Sequence, residues 1–435
     1  MFTLDWLFPL TVENGRVLSM GRGMRRVTIV HQRNCLWIGA LAALVFFMLS
    51  PVASGAPLAA DEAGATVEPV DVFYITNRAP ETAQDGTSTY GAERSHSMAF
   101  GSVPVFGHEA ETAVVGAPVE LGRFPSSPYA LERMKSGVRR APAVVAQHQN
   151  ASAAMLKELG RRVAASRRKE IVVFVHGFNN SFNDAVKSAA QLCSDFGPKD
   201  FTCIAFTWPA GGSRGAFLGY NVDRESGEFS VSDAIKALRI ISETPGLREW
   251  HFIAHSRGTD MLASALRELS IESYVSQTPK SKRKAGNIIF AAPDMDLDVA
   301  FSKLFSPVSD PDLIYGHKAA PDVTIKPGRL HLTVYASDRD GALGMSEFLY
   351  GSQLRLGRLD AHTDPEVMRL TPHFADLADF ISVEGGEGLI GHSYFLSNPS
   401  VRADLTAIVR DHRKVDDRMR ALVEIRRPFW YLPNH

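Results

Sequence analysis

A surplus of charge of either sign is missing from this sequence. Its 435 residues carry 47 basic and 48 acidic side chains, a formal net charge of -1. Without an excess, no global field recruits nucleic acid or an anionic surface, and neither is an expected partner. The short basic clusters SRRKE (Ser166 to Glu170) and KSKRK (Lys280 to Lys284) read as solvated linkers beside strands. Cysteine is scarce as well: only three occur, Cys35, Cys193 and Cys203, and none has metal-ligand spacing. Cys193 and Cys203 read equally as one disulfide of an exported chain or as two small buried thiols. No G-x-G-x-x-G follows the early strands, so a dinucleotide-binding dehydrogenase is not supported. No internal repeat occurs, and no metal or cofactor is expected. Apolar content of 45% and charged content of 22% are those of a globular protein.

The longest apolar run lies near the start. RGMRRVTIVHQRN supplies positive charge, CLWIGALAALVFFML (Cys35 to Leu49) carries none, and SPVASGA offers small residues at Ala53 and Gly55. Basic, apolar and small-residue segments in that order make a secretory signal. The run is short against the roughly 20 residues of a bilayer crossing. Residues 1–56 are therefore expected to be a signal peptide, or else a membrane anchor, and 57–70 a polar linker. Export follows either way: a periplasmic or secreted protein, or one held at the inner membrane through this segment.

From residue 71 to about 410 the pattern is that of one α/β domain, with 411–435 as a tail. Asp71 to Arg78 and Met98 to Val105 read as strands, and Ala151 to Ser166 has helical spacing of apolar residues. Strands then alternate with helices: Glu170 to Gly177, Phe201 to Trp208, Glu249 to His255, Gly286 to Ala292, Leu330 to Ala336 and, as a candidate last strand, Asp379 to Val383. Such alternation implies a mostly parallel, doubly wound sheet with helices on both faces. The polar stretch 306–329 has no clear period and could form a lid or loop insertion.

Ligands of such sheets gather past the carboxyl ends of the strands. The residues that fall there are His176-Gly177-Phe178, Trp208-Pro209, His255-Ser256-Arg257-Gly258, Asp294 and Asp296, Asp338 and Asp340, and His392. Serine, acid and histidine appear in the chain order of the α/β-hydrolase triad. A serine hydroxyl attacks a carbonyl when a neutral imidazole takes its proton and a carboxylate holds that imidazole. AHSRGTD (Ala254 to Asp260) puts Ser256 between a strand and a helix. Ala254 stands where G-x-S-x-G has its first glycine, and Gly258 keeps the more demanding position. The alternative for Ser256 is an inert helix cap. His392, in a glycine-flanked loop, is the expected base. Asp340 is the expected acid, with Asp338 as alternative and Asp294 or Asp296 behind them. The amides of Phe178 and Arg257 would form an oxyanion hole. His176, Gly177 and His255 are expected to shape the site. Trp208 lines an acyl or alcohol pocket or is a plain structural turn, and Asp260 is a helix-surface or packing residue.

Several segments together carry a family resemblance: YITNR, Tyr90 to Ser95, FVHGFNNSFNDAV, FTWPAGG, FIAHSRGTDML, AAPDMDLDVAF, VYASDRDGALGMSE and GHSYFLSNPSVRADL. Over about Asp71 to Leu405 the chain resembles an uncharacterised bacterial esterase/lipase family of the α/β-hydrolase superfamily, the domain-of-unknown-function-900 group. The resemblance implies an α/β-hydrolase fold and serine-hydrolase chemistry on a small-molecule or lipid ester. An acyltransferase or thioesterase would use the same triad. A non-catalytic envelope-associated binding module is the remaining alternative.

Overall fold

The computed structural model describes residues 68–83, 86–212, 216–275, 284–305, 331–350, 354–359, 377–384 and 391–434. Contacts divide the chain into Met1–Ala65 and Thr66–His435, and every described residue belongs to the second unit. The segment expected as signal or anchor (1–56), nearly all of the linker (57–70) and the expected lid (306–329) lie outside the described residues. Among the described residues no helix is long and apolar enough to cross a membrane.

The chain opens with β1 (Val70–Thr82) and β2 (Ser88–Phe106), both longer than the sequence pattern suggested. The short strands β3 (Val114–Val115), β4 (Val119–Arg123), β5 (Leu131–Met134) and β6 (Gly137–Arg140) follow, unread from sequence. Then come α1 (Pro142–Ala165), β7 (Glu170–Val175), α2 (Phe182–Phe196), β8 (Phe201–Thr207), α3 (Ala216–Ser242), β9 (Glu249–His255) and α4 (Gly258–Val275). The series continues with β10 (Ala285–Ala291), α5 (Leu297–Leu304), β11 (His331–Ala336), α6 (Gly341–Tyr350), β12 (Ala378–Val383), α7 (Tyr394–Ser397) and α8 (Pro399–Val409). The stretch expected as a tail instead folds into β13 (Val423–Arg426) and β14 (Phe429–Leu432), so β12 is not the last strand.

Twelve strands form one sheet in the order β13-β14-β12-β11-β10-β9-β7-β8-β1-β2-β3, with β4 also paired to β2. Every pair from β14 to β1 is parallel. Both margins are antiparallel: β2 on β1, β3 and β4 on β2, and β13 on β14. Of these margins, β1 and β2 were read in part from sequence, while β3, β4, β13 and β14 were not; their short pieces lack the continuous apolar runs that mark central strands.

Alternation along each central strand divides the core in two. Ile171, Val173 and Val175 of β7, with Phe252 and Ala254 of β9, pack against Met155, Leu159 and Val163 of α1 and against Leu238 and Leu262. Val172, Phe174 and Ile253 point the other way, onto Val186 and Phe196 of α2 and Leu405 and Ile408 of α8. Burying each such side chain contributes roughly 1.5–3 kcal/mol. Helices cover both faces, as the alternating pattern implied.

Local chemistry fixes the helix ends near the site. Ser181 accepts from the Asp184 amide at 3.1 Å while the Ser181 amide donates to Asp184 Oδ2 at 2.9 Å, a capping box that starts α2 directly after the β7 loop. Cys193 of α2 and Cys203 of β8 are joined by a disulfide, with Cα atoms 6.0 Å apart. The chain passes from β7 to β8 on one side, then returns across β7 to β9 on the other. That reversal opens a crevice at the carboxyl ends of β7 and β9, the usual place for a ligand in such a sheet.

Candidate functional site

Ser256 follows β9 in that crevice. Its φ of 50° lies in the left-handed region, where a side chain other than glycine is strained. The turn is held from behind: the Ser256 amide donates to the Ala291 carbonyl at 3.0 Å, and its own carbonyl accepts from Thr259 and Asp294 amides at 3.1 and 3.2 Å. A Cβ on Gly258 would lie 2.2 Å from the His176 carbonyl oxygen, so only glycine fits there. Ala254 is fully buried among apolar side chains, which shows how a methyl is accommodated at the first small position. Gly177 meets the turn from β7, where a Cβ would come within 2.7 Å of Ser256 Cβ.

Asp340 and His392 are brought together. Their strands, β11 and β12, are parallel neighbours, and the loops beyond them carry the two residues to one place. His392 Nδ1 and Asp340 Oδ2 are 2.7 Å apart; the Asp340 side chain is fully buried and that of His392 is 17% exposed. Asp340 Oδ1 also accepts from the Leu343 amide at 3.1 Å. An ionised carboxylate only accepts, so Nδ1 of a neutral His392 carries the proton and Nε2 keeps its lone pair. His255, the residue before Ser256, donates from Nε2 to the His392 carbonyl at 3.1 Å, and the two rings lie 4.7 Å apart. Burial, then the nearby His392, pushes the His255 pKa well below its usual value, so His255 stays neutral.

The other candidate acids are engaged elsewhere. Asp338 is exposed, and its carbonyl accepts from Arg358 at 2.9 Å. Asp296 caps α5, accepting from Asp298 and Val299 amides at 3.0 and 3.2 Å. Asp294 accepts from the Tyr220 hydroxyl at 2.7 Å and Ser346 Oγ at 3.0 Å and lies 3.5 Å from Arg355. Asp260 is not on the helix surface: it is buried, bridging Arg257 at 2.6 Å and Lys303 at 2.5 Å.

The backbone amides of Phe178 and Arg257, which follow β7 and β9, donate no hydrogen bond among the described residues. Arg257 immediately precedes α4, whose positive end favours developing negative charge. Around Phe178 the loop is tightly tied. Asp223 accepts from the Asn179 and Gly211 amides at 2.9 and 3.3 Å. Arg78, on β1 just past the stretch that pairs with β8, is 1% exposed and donates to the carbonyls of Asn180 at 2.6 Å, Ala210 at 2.8 Å and Gly91 at 3.0 Å. Desolvation lowers its pKa to about 9. His176 is fully buried, and burial followed by the Arg78 charge pushes it down to about 3.

Trp208 does not line a pocket: it is wholly buried, stacks on His176 with ring centres 5.0 Å apart, and donates from Nε1 to the His176 carbonyl at 2.8 Å. Sequence reasoning missed Arg78, Asp223 and Tyr220. For Arg78 a signal existed, a lone arginine closing the apolar strand DVFYITNR. Asp223 and Tyr220 sit on a long helix of which only the second half was read from sequence.

A second polar cluster lies at the opposite, amino end of the strands. Glu249, His251 and His412 bring potential metal-ligating atoms within 4.8 Å of one another. These imidazoles are already engaged: His251 Nδ1 accepts from the Asn287 amide at 3.3 Å, His251 Nε2 lies 3.3 Å from Glu170, and Arg168 bonds His412 Nε2 at 2.5 Å.

A mostly parallel sheet with helices on both faces, and reactive side chains gathered past its strand ends, defines the class: this is an α/β hydrolase. Residues 151–410 match the family described as alpha/beta hydrolase of unknown function (DUF900), and the chain belongs to that family. The strands β1 to β6 precede the matched region. No curated protein matches the chain. Among solved structures it is similar to esterase B from Lactobacillus rhamnosis, solved with a tributyrin phosphonate: 10% identity, 63% of this chain and 95% of that one, TM-score 0.31. It is also similar to carboxyl esterase 2 from the mycorrhizal fungus Tuber melanosporum, at 12% identity over 86% and 96% of the two chains, TM-score 0.30. A third is an esterase from Pyrobaculum calidifontis, at 10% identity over 61% and 92%, TM-score 0.28.

Proposed function

We propose that this α/β hydrolase is a serine esterase that cleaves carboxylic esters through an acyl-enzyme. The observation that carries the reading is the 2.7 Å contact between His392 Nδ1 and buried Asp340, which leaves Nε2 as the basic nitrogen. Ser256 Oγ attacks the ester carbonyl as His392 Nε2 takes its proton. Asp340 keeps the imidazole in that tautomer and stabilises the imidazolium. The amides of Phe178 and Arg257 receive the oxyanion, a donor pair for which losing one member typically costs roughly a hundredfold or more. Collapse of the tetrahedral intermediate breaks the bond to the alkoxy oxygen, and the proton on Nε2 passes to the departing alcohol. Water, deprotonated by the same nitrogen, then attacks the acyl carbon and releases the acid and free Ser256.

The substrate class that fits this chemistry is a small-molecule or lipid ester. We also place the working domain outside the cytoplasm, with residues 1–56 as signal or anchor. The Cys193–Cys203 disulfide supports that placement, because such bonds persist in oxidising compartments. The purified protein should hydrolyse p-nitrophenyl esters and be labelled at Ser256 by a fluorophosphonate. A Ser256→Ala protein that keeps its activity would overturn the reading.

A further inference from the structure

The crevice holds an ionisable residue that the proposed chemistry does not use. His176 sits directly behind the oxyanion loop and is wholly buried. Its hydrogen bonds define its proton. Nδ1 lies 2.9 Å from the Gly177 carbonyl, which can only accept, so Nδ1 carries the hydrogen. Nε2 receives the Trp208 amide at 3.0 Å and the Arg78 guanidinium at 3.3 Å, two groups that can only donate, so Nε2 is bare. Arg78 is always a donor there, and a proton on Nε2 would face its positive charge.

The tautomer matters because of the peptide that it grips. The Gly177 carbonyl and the Phe178 N–H belong to one planar trans unit, so they point in opposite directions. Holding the carbonyl back toward His176 aims the Phe178 N–H forward, into the crevice. The following units are fixed independently. Asp223 takes the Asn179 amide and Arg78 takes the Asn180 carbonyl. The Phe178 N–H donates no hydrogen bond among the described residues, while its neighbour Asn179 is tied to Asp223.

We propose that Arg78 and His176 are positioning residues for the oxyanion hole: Arg78 locks His176 in the Nδ1–H tautomer, and His176 holds the Gly177–Phe178 peptide so that its N–H meets the developing oxyanion. Neither touches the substrate. The buried guanidinium also lends the loop a positive field that needs no reorganisation when charge develops. This inference rests on the esterase reading, because it assigns the Phe178 amide a transition-state role.

The first test needs no substrate. In the wild-type full chain, selective 15N labelling of histidine should show one imidazole that stays neutral with its proton on Nδ1 from pH 5 to 8, assigned to His176 by its loss in His176→Gln. A protonated ring, or an Nε2–H tautomer, would overturn the proposal whatever the enzyme acts on. The second test uses Arg78→Lys and Arg78→Met, assayed on p-nitrophenyl esters. Each should lower kcat roughly 10- to 100-fold while KM changes less than about threefold, since the loss falls on the transition state. Rates within twofold of wild type in a folded Arg78→Met protein would contradict it. If both variants fail to fold, the wild-type tautomer alone decides. If wild-type Ser256 is not labelled by a fluorophosphonate, the esterase reading fails, and the tautomer result separately reports on the relay.

Discussion

At the carboxyl end of the sheet, His392 holds a single carboxylate, Asp340, through one nitrogen. At the amino end, Glu170 is shared by His251 at 3.3 Å, His412 at 3.6 Å and Arg168 at 3.3 Å, and His331 meets Asp379, which also accepts from Trp430 at 3.0 Å. Both ends therefore contain histidine–carboxylate pairs, some of them deeply buried. What separates them is how many partners each holds. His251 has both nitrogens engaged, and Glu170 is met by His251, His412 and Arg168. Among the described residues, Nε2 of His392 has no hydrogen-bond partner, and two amides nearby lack one too. Contact between a histidine and an acid does not mark a reactive site; what the pair leaves uncommitted does.

The largest effect that would break this comparison comes from replacing one member of a histidine–carboxylate pair at each end. Asp340→Asn should lower kcat by roughly ten-thousandfold, by analogy with protease triads. His251→Gln should leave kcat within a factor of about two and cost about 1–3 kcal/mol of stability instead, through donors and acceptors left unpaired in a buried place. Asp338→Asn, on the exposed acid, should change neither. Steady-state rates and urea unfolding of the three proteins side by side would decide, and a catalytic loss in His251→Gln would undo the distinction.

A smaller effect separates the two small residues flanking Ser256. Gly258→Ala drives a methyl into the His176 carbonyl and should cost roughly 1–3 kcal/mol or more, with loss of esterase rate. Ala254→Gly, which restores the commoner G-x-S-x-G, should retain the rate and cost only about 0.5–1 kcal/mol.

The smallest and most diagnostic difference lies in pH. His176 and His255 have folded pKa values below the unfolded value near 6.5, so their contribution is complete above that pH and is lost as pH falls through it. Each removes up to about 1.4 kcal/mol per pH unit once the unfolded chain binds a proton that the folded chain refuses. His412 is shifted the other way, upward by Glu170, so its contribution is present below 6.5 and disappears as pH rises past its folded value. Wild-type stability should therefore fall from pH 7 to 5, and His412→Gln should fall more steeply. Equal slopes in unfolding curves over that range would show that the amino-end cluster does not oppose the site.

The candidate groups were legible because each lies just past an apolar strand, and a strand of the Glu170-to-Val175 type announces its own end. Chain order then pointed to Ser256, an aspartate of the loop after β11 and His392 without any knowledge of distance. The choice between Asp338 and Asp340 was not legible, since two residues in one loop differ only in which way the loop turns. Arg78 and Asp223 stayed hidden for another reason: they meet Asn180 and Asn179 across 102 and 44 positions of the chain, and no local period records such partnerships. The short strands β3 to β6 and β13 were not read because they are only two to five residues long and mostly exposed, so they leave no apolar run in the sequence.

Ser256 stands in a backbone conformation suited to glycine, so the proposed nucleophile is also a residue that the fold would exchange. Ser256→Gly should abolish hydrolysis and, by relieving a left-handed turn, raise stability by roughly 1 kcal/mol. Folding and the proposed reaction would then make opposite demands on this one position. A gain in melting temperature on losing the hydroxyl would measure that tension directly.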